Sequence, residues 1–211
     1  MSVMITPAQF HSLKKEVDQL INAYQSVNDP KTIMAVQGLT IEKINEIAET
    51  TEFIRELCEF ILDKSLTKAR AEQYFESFKE HVQPFKIPTS QQIAKVFRKV
   101  KKLKVPSWEM FDLREQSFLG WNDAGSQKKY LLCYQEERLV GLSGQLSPNN
   151  LKNVCSICNH TSNVALFLAT TKTSGDGTYT KKGNYICVDS HTCNQQLLNI
   201  EQLHQFVTKI R

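Results

Sequence analysis

The sequence lacks the features that mark secreted proteins, membrane proteins and several large enzyme classes. Its first residues, Met1 to Phe10, have neither the charged start nor the apolar run of a signal peptide. No stretch approaches the roughly 18 uninterrupted apolar residues of a membrane span. The chain contains no P-loop, no G-x-G-x-x-G, no H-E-x-x-H and no nucleophile elbow, and its five histidines form no recognisable catalytic set. These absences favour a cytoplasmic protein that is not an enzyme.

Charge is unevenly distributed along the 211 residues. Residues 1–88 carry a net charge of −3 and residues 89–211 a net charge of +7. The second part is therefore the better candidate for meeting an acidic protein surface or phosphate, although a mildly basic solvated surface would explain the same numbers. The length fits one large domain or two small ones, and the hydrophobic fraction of 41% suffices for a core. Pro84 and Pro88 flank a short extended piece that resembles an interdomain link, so we expect two domains, 1–83 and 84–211.

The N-terminal part has the spacing of amphipathic helices. Thr6-Pro7 and Asp29-Pro30 each combine a capping side chain with a proline suited to the first helical position. Apolar residues then recur at three- and four-residue steps, and a further helical segment follows Thr67. Gly38 indicates a helix end, whereas the pattern leaves open whether Thr50-Thr51 separates two helices. We therefore predict an antiparallel helical bundle.

The pattern changes in the second part. Thr89-Ser90 can cap a predicted helix from Gln91 to Lys104, which carries six cations and no acid: Lys95, Arg98, Lys99, Lys101, Lys102 and Lys104. Like charges at i,i+4 cost a few tenths of a kcal/mol each, so the cluster indicates either a patch for phosphate or an acidic partner, or a solvated face. Short aromatic or branched segments after Pro106 predict antiparallel strands. The fold class is therefore α+β.

Four cysteines near the C-terminus have the spacing of metal ligands. Cys155 and Cys158 are separated by two residues, 28 residues intervene, and Cys187 and Cys193 are separated by five. Zinc takes four sulfurs in a tetrahedron at about 2.3 Å, and two cysteines in a tight turn can supply a pair. Strand-like residues 163–171, a turn at Ser174–Gly177 and strand-like residues 178–186 would form a hairpin that returns the second pair to the first.

Helical spacing follows Cys193, which would place this cysteine at a helix start, where backbone N–H groups favour a thiolate. A knuckle, a hairpin and a helix define a treble-clef-like zinc finger at about residues 150–211. Four thiolates leave no coordination position for an activated water, so we expect one structural Zn²⁺ ion. His160 and His191 lie close enough in sequence that either could replace a cysteine. Cys58 and Cys133 stand alone in apolar surroundings and are expected to be buried thiols.

Several short motifs resemble those of a known family. They are Ile87-Pro88-Thr89-Ser90, the run from Phe97 to Lys104, Gly120-Trp121-Asn122, Cys155-x-Ile157-Cys158-Asn159, the run from Gly177 to Cys187, and Cys193-Asn194-x-x-Leu197. Together they resemble the elongation factor G-binding proteins of the FusB type, which confer fusidic acid resistance. The resemblance covers nearly the whole chain and is specific from residue 87 onward.

The resemblance implies a function and a binding surface. Such proteins join an N-terminal helical bundle to a C-terminal domain ending in a four-cysteine zinc finger. They bind elongation factor G through that domain and promote its departure from ribosomes on which fusidic acid has trapped it. The drug is not modified, so the resemblance implies no small-molecule substrate. It also implies no membrane. Family contacts map onto Lys182, Tyr185 and Phe206, and Val154 stands where the family has an aromatic residue.

Two alternatives remain open at this point. Tyr185 and Phe206 could serve core packing rather than partner contact. The chain could also be a zinc-containing ribosome- or RNA-binding protein that uses its basic helix on phosphate, through Lys95, Arg98, Lys99 and Lys102.

Overall fold

The computed structural model describes residues 4–100, 102–172 and 179–211, so the predicted turn at Ser174–Gly177 lies outside the described residues. The chain divides into two compact units, Met1–Pro84 and Phe85–Arg211. Among the helices of the described ranges, none combines the length and the apolar character that crossing a membrane would demand.

The first unit consists of helices. They are α1 (Pro7–Ser26), α2 (Pro30–Ile47), α3 (Glu52–Phe60), α4 (Lys68–Phe78) and a 3-10 turn at Lys79–His81. The start signals work as predicted: the Thr6 hydroxyl accepts a hydrogen bond from the Gln9 N–H, and the Asp29 carboxylate accepts one from the Thr32 N–H. The apolar stripes meet in one core, whose fully buried members include Phe10, Leu13, Leu20, Ile44, Ile54 and Leu57.

Gly38 does not end a helix, and that prediction is wrong. Helix α2 runs through Gly38 to Ile47, because Gln37, Thr40 and Ile44 continue the buried stripe on both sides of it. Burial of that stripe outweighs the cost of about 1 kcal/mol of a helical glycine. The open question at Thr50-Thr51 is answered, since α2 ends at Ile47 and Thr51 is the N-cap of α3.

The second unit is built on a five-stranded antiparallel sheet. Its strands are β1 (Leu119–Asp123), β2 (Lys128–Gln135), β3 (Arg138–Val154), β4 (Thr161–Lys172) and β5 (Tyr179–Cys187), which lie side by side in chain order. Glu136 and Glu137, both at positive φ, form the two-residue turn between β2 and β3. Helices α5 (Ser90–Val96), α6 (Ser190–Gln196) and α7 (Ile200–Ile210) and a 3-10 turn at Leu113–Glu115 complete the unit.

The sheet separates two cores. Alternation along β2 sends Leu131 and Cys133 into a core shared with the four clustered cysteines and α7. Tyr130 and Leu132 face the other core, which contains aromatic side chains from the segment before and around β1. Every central position of β2 is therefore buried, and burial raises the pKa of the Cys133 thiol to about 12, consistent with its expected role as a small hydrophobic residue.

The basic helix is shorter than predicted. Helix α5 ends at Val96, and Phe97 turns the chain so that its ring packs edge-on against Trp121 and Tyr130, with centroids 5.9 and 5.3 Å apart. Ending the helix here avoids stacking cations at i,i+4 and inserts an aromatic ring into the core. Arg98, Lys99 and Lys102 consequently follow the helix rather than lie on it, and Lys102 has a φ of 57°.

Candidate metal centre

The structure brings Cys155, Cys158, Cys187 and Cys193 together. Their sulfur atoms all lie within 4.8 Å of one another, and all four side chains are buried. The Cys155–Cys193 and Cys158–Cys187 sulfur pairs are 3.8 and 3.7 Å apart. A tetrahedron with zinc–sulfur bonds of about 2.3 Å has edges of about 3.8 Å. The four thiols therefore fit one zinc ion.

The first pair is held by a tight loop between β3 and β4. The Cys155 N–H donates to the His160 carbonyl at 3.0 Å, and the Asn159 N–H donates to the Cys155 carbonyl at 2.9 Å. Asn159 has a φ of 61°, a left-handed conformation that asparagine tolerates better than most residues. This loop turns both sulfurs towards the same point.

The second pair comes from β5 and α6. Cys187 ends β5, and Cys193 is the fourth residue of α6, whose N-cap Asp189 accepts hydrogen bonds from the His191 and Thr192 N–H groups. The Cys193 N–H already donates to the Asp189 carbonyl, so it is not free for a sulfur. Other N–H groups do point at sulfur: those of Ile157 and Cys187 each lie 3.3 Å from Cys155 Sγ.

Both candidate histidines lie outside the cysteine cluster of the described residues. His160 Nδ1 is 2.7 Å from the Cys158 carbonyl, and the exposed His191 has its Nε2 3.1 Å from Gln195 Nε2. The geometry therefore favours four cysteines over three cysteines and a histidine. His160 instead supports the knuckle from outside it.

A buried lysine faces the cysteine cluster, and the sequence reasoning missed it. Lys129 is 2% exposed, and its Nζ donates to Asn122 Oδ1 at 3.2 Å and to the Val188 carbonyl at 2.9 Å. Burial lowers the pKa of Lys129 to about 8, while the nearby Cys193 and Asp189 act in the opposite direction. The sequence does contain a signal for this burial. Side chains alternate along a strand, so Lys129 lies on the same face of the predicted strand as Leu131 and Cys133, which face the core.

Asn194, the residue after a candidate ligand, is completely buried and anchors α6 to the start of the sheet. Its Oδ1 accepts hydrogen bonds from the Ser117 and Phe118 N–H groups at 2.7 and 3.2 Å. Its Nδ2 donates to Gln116 Oε1 and to the Phe118 carbonyl at 2.9 and 3.0 Å. The side chain thus fixes the helix that carries Cys193.

The predicted partner residues differ in exposure. Lys182 is exposed, Tyr185 is half-buried and Val154 is 48% exposed. The Ser156 N–H donates to the Tyr185 carbonyl at 2.9 Å, which joins the knuckle after Val154 to β5. Phe206 is only 5% exposed and packs near Phe167, with ring centroids 6.3 Å apart. Three of the four side chains are therefore accessible, and Phe206 belongs mainly to the core.

A cysteine knuckle, a hairpin and a short helix that together present a sulfur tetrahedron define the treble-clef class of zinc fingers. Residues 92–208 match the family model described as FBP C-terminal treble-clef zinc-finger. Residues 4–86 match the model of the N-terminal domain of elongation factor G-binding proteins. This chain belongs to the family of elongation factor G-binding proteins, and the predicted resemblance, α+β fold and single structural zinc are confirmed.

A solved structure supports the same assignment. The fusidic acid resistance protein FusC is 40% identical in sequence, with a TM-score of 0.91 over 99% of this chain and 98% of that chain. Among curated proteins, none matches this sequence.

Proposed function

We propose that this protein binds elongation factor G through its zinc-finger unit and promotes release of the factor from ribosomes stalled by fusidic acid in the cytoplasm. The observation that carries the proposal is the near-complete structural correspondence with a fusidic acid resistance protein, combined with membership of a family named for binding this factor. The protein would act by protecting the drug target, without catalysis.

The contact surface is proposed to lie around β5. This strand is at the edge of the sheet. Side chains alternate along a strand, so Lys182 and Tyr185, three positions apart, project on opposite sides of it. A partner that contacts both must span the strand edge, where the exposed Val154 is also close through the Ser156–Tyr185 hydrogen bond. Phe206 would act indirectly, by positioning α7 against the sheet.

Zinc supplies rigidity in this proposal. Four thiolates leave no open coordination position, so the ion would link the knuckle, β5 and α6 rather than activate a water. A fixed surface loses less conformational entropy on binding than a mobile one. Val154 offers less area than an aromatic side chain at the same place, so more of the affinity would come from Tyr185 and Lys182.

Release follows from linkage. If the protein prefers the conformation that elongation factor G adopts off the ribosome, the ribosome weakens the affinity between the protein and elongation factor G. By linkage, the protein must then weaken the affinity of elongation factor G for the ribosome by the same ratio. A coupling free energy of about 1–3 kcal/mol corresponds to a change in affinity of about 5- to 150-fold. Such a change would release the factor without any effect on the drug.

The test compares binding and release in two variants. We expect Lys182→Ala/Tyr185→Ala to weaken binding of purified elongation factor G at least tenfold, by calorimetry, and to slow release of labelled factor from fusidic acid-stalled ribosomes in parallel. Lys209→Ala, an exposed lysine on α7, is the control and should change neither. Wild-type affinity in the double variant would refute this surface, and failure of the wild-type protein to bind the factor would refute the function.

A further inference from the structure

A continuous groove runs along the second unit and is lined by cations. It consists of three adjoining clefts between α5 with its following turn and β3, and it extends to β4 and β5. The cations along it are Lys95, Arg98, Lys99, Lys128, Arg138, Lys181 and Arg211. No aspartate or glutamate belongs to the lining that the described residues provide. We call this feature the cationic groove.

The charge of the cationic groove is not neutralised from within the protein. None of these cations forms an ion pair with a carboxylate among the residues described, and all except the half-buried Lys128 are exposed. Clefts lined by charge of one sign concentrate the field and attract counter-ions. The groove is therefore an electrostatic site for a polyanion.

The remaining lining distinguishes phosphate from an acidic protein surface. Protein interfaces depend on aromatic or large apolar anchors. The exposed large apolar side chains that the structure describes in this unit, among them Met110, Phe111 and Val154, lie outside the groove. Its other accessible polar side chains are Gln92, Ser143, Gln145 and Thr170, which suit phosphate and sugar oxygens. This composition favours a nucleic-acid backbone.

Among the side chains that the structure describes, the groove presents no exposed aromatic surface on which bases could stack. Of the lining residues with described side chains, Phe97 alone is aromatic, and its ring is buried against Trp121 and Tyr130. Gly141 allows this close packing, since a Cβ there would come within 2.8 Å of Phe97 Cζ. Single-strand binders rely on exposed aromatic platforms, whereas recognition of duplex RNA relies on shape and on phosphate and 2′-hydroxyl contacts.

We propose that the cationic groove binds the phosphodiester backbone of double-helical RNA without reading its sequence. Arg98, Lys99 and Arg138 contribute from its two walls, and Lys181 extends it to β5. Lys181 and Lys182 project on opposite sides of β5, so only the first lines the groove. Binding of RNA in the cationic groove would not require a protein partner.

The experiment measures binding of the full-length zinc-loaded protein to a labelled RNA duplex of about 16 base pairs, a typical span for a duplex-binding domain. Anisotropy is recorded between about 50 and 200 mM salt, where each phosphate neutralised contributes about −0.9 to the slope of log K against log salt. We expect Arg98→Gln/Lys99→Gln/Arg138→Gln to weaken binding at least tenfold and to make the slope shallower by about 2 to 3.

The matched control is Lys86→Gln/Lys104→Gln/Lys152→Gln, which removes the same charge outside the groove and should leave the slope unchanged. Equal weakening by the two triple variants would show a net-charge effect and overturn the proposal. It would also be overturned if the wild-type protein failed to bind the duplex at about 50 mM salt, or if it preferred single-stranded RNA or a poly-glutamate peptide. All six substituted side chains are exposed, so both variants should fold, which their thermal transitions verify.

Discussion

At the residue scale, the charge of Lys129 calls for a counter-charge. Removing an ammonium from water costs several kcal/mol unless opposite charge compensates it. The two hydrogen-bond acceptors of Lys129, Asn122 and the Val188 carbonyl, are neutral. Zinc bound by four thiolates carries a net charge of −2, and Lys129 faces the cysteines that would hold it. The metal centre, together with the nearby Asp189 carboxylate, should therefore compensate the charge of Lys129, and the lysine should in turn stabilise the bound metal.

Lys129→Met tests this coupling. Methionine keeps much of the side-chain volume and removes the charge, so we expect zinc affinity to fall by about tenfold, as is typical for loss of an outer-shell partner. Competition with a chromophoric chelator measures the affinity. Lys128→Met is the control, because Lys128 is the preceding residue and projects from the other face of β2. Unchanged zinc affinity in Lys129→Met would show that the charge does not support the centre.

At the scale of helices and strands, local signals predicted where helices begin better than where they end. Thr6, Asp29, Thr67 and Thr89 cap the helices expected of them, because a capping side chain bonds to N–H groups within three residues. The ends depend on distant packing: α2 continues through Gly38 because its stripe meets α1, and the basic helix stops at Val96 because Phe97 enters a core formed with β1 and β2. A local pattern contains neither partner.

Two glycines differ in the same way, because the space around each depends on packing with distant residues. Gly38 is exposed within α2, and a Cβ there would meet no atom within 4 Å. Gly38→Ala should therefore stabilise the helical unit by about 0.5–1 kcal/mol. At Gly183 a Cβ would collide with the carbonyl oxygen of Phe167 in the neighbouring strand. Gly183→Ala should destabilise the second unit by about 1–3 kcal/mol, as overpacking does.

Urea unfolding monitored by circular dichroism, with zinc held constant, measures both free energies. The two variants make the same chemical change, so they control for each other. A stabilised Gly183→Ala, or a Gly38→Ala destabilised by more than 0.5 kcal/mol, would contradict the described packing.

At the scale of the whole molecule, the metal centre was the most predictable part of the second unit. Cysteine spacing is a local property with few structural solutions, so the four thiols could be chosen without a structure. The local sequence does not fix the exposure of the predicted binding residues, because exposure depends on which side of the sheet or helix each residue occupies. Phe206 proved to be core, and the cationic groove arises from residues as distant in sequence as Lys95 and Arg211.

Each unit has its own core, and the clustered cysteines belong only to the second. Structural zinc contributes on the order of 10 kcal/mol to the folding of small modules. The sulfur cluster joins the knuckle after β3, the end of β5 and α6. Loss of the ion would leave four sulfurs packed within 4.8 Å of one another, either as thiolates that repel each other or as thiols without a metal to bind. Metal removal should therefore affect the two units very differently.

We expect a high-affinity zinc chelator to increase amide hydrogen exchange throughout residues 155–170 and 179–211, while exchange in α1–α4 stays unchanged. Mass spectrometry after peptic digestion resolves the two regions, and added zinc should restore protection. Binding of elongation factor G should be lost together with protection in β5, since the proposed surface includes Tyr185. Protection that survives zinc removal would show that the second core folds without the ion. Parallel loss of protection in α1–α4 would show that the helices depend on the metal centre, contrary to the separate cores described above.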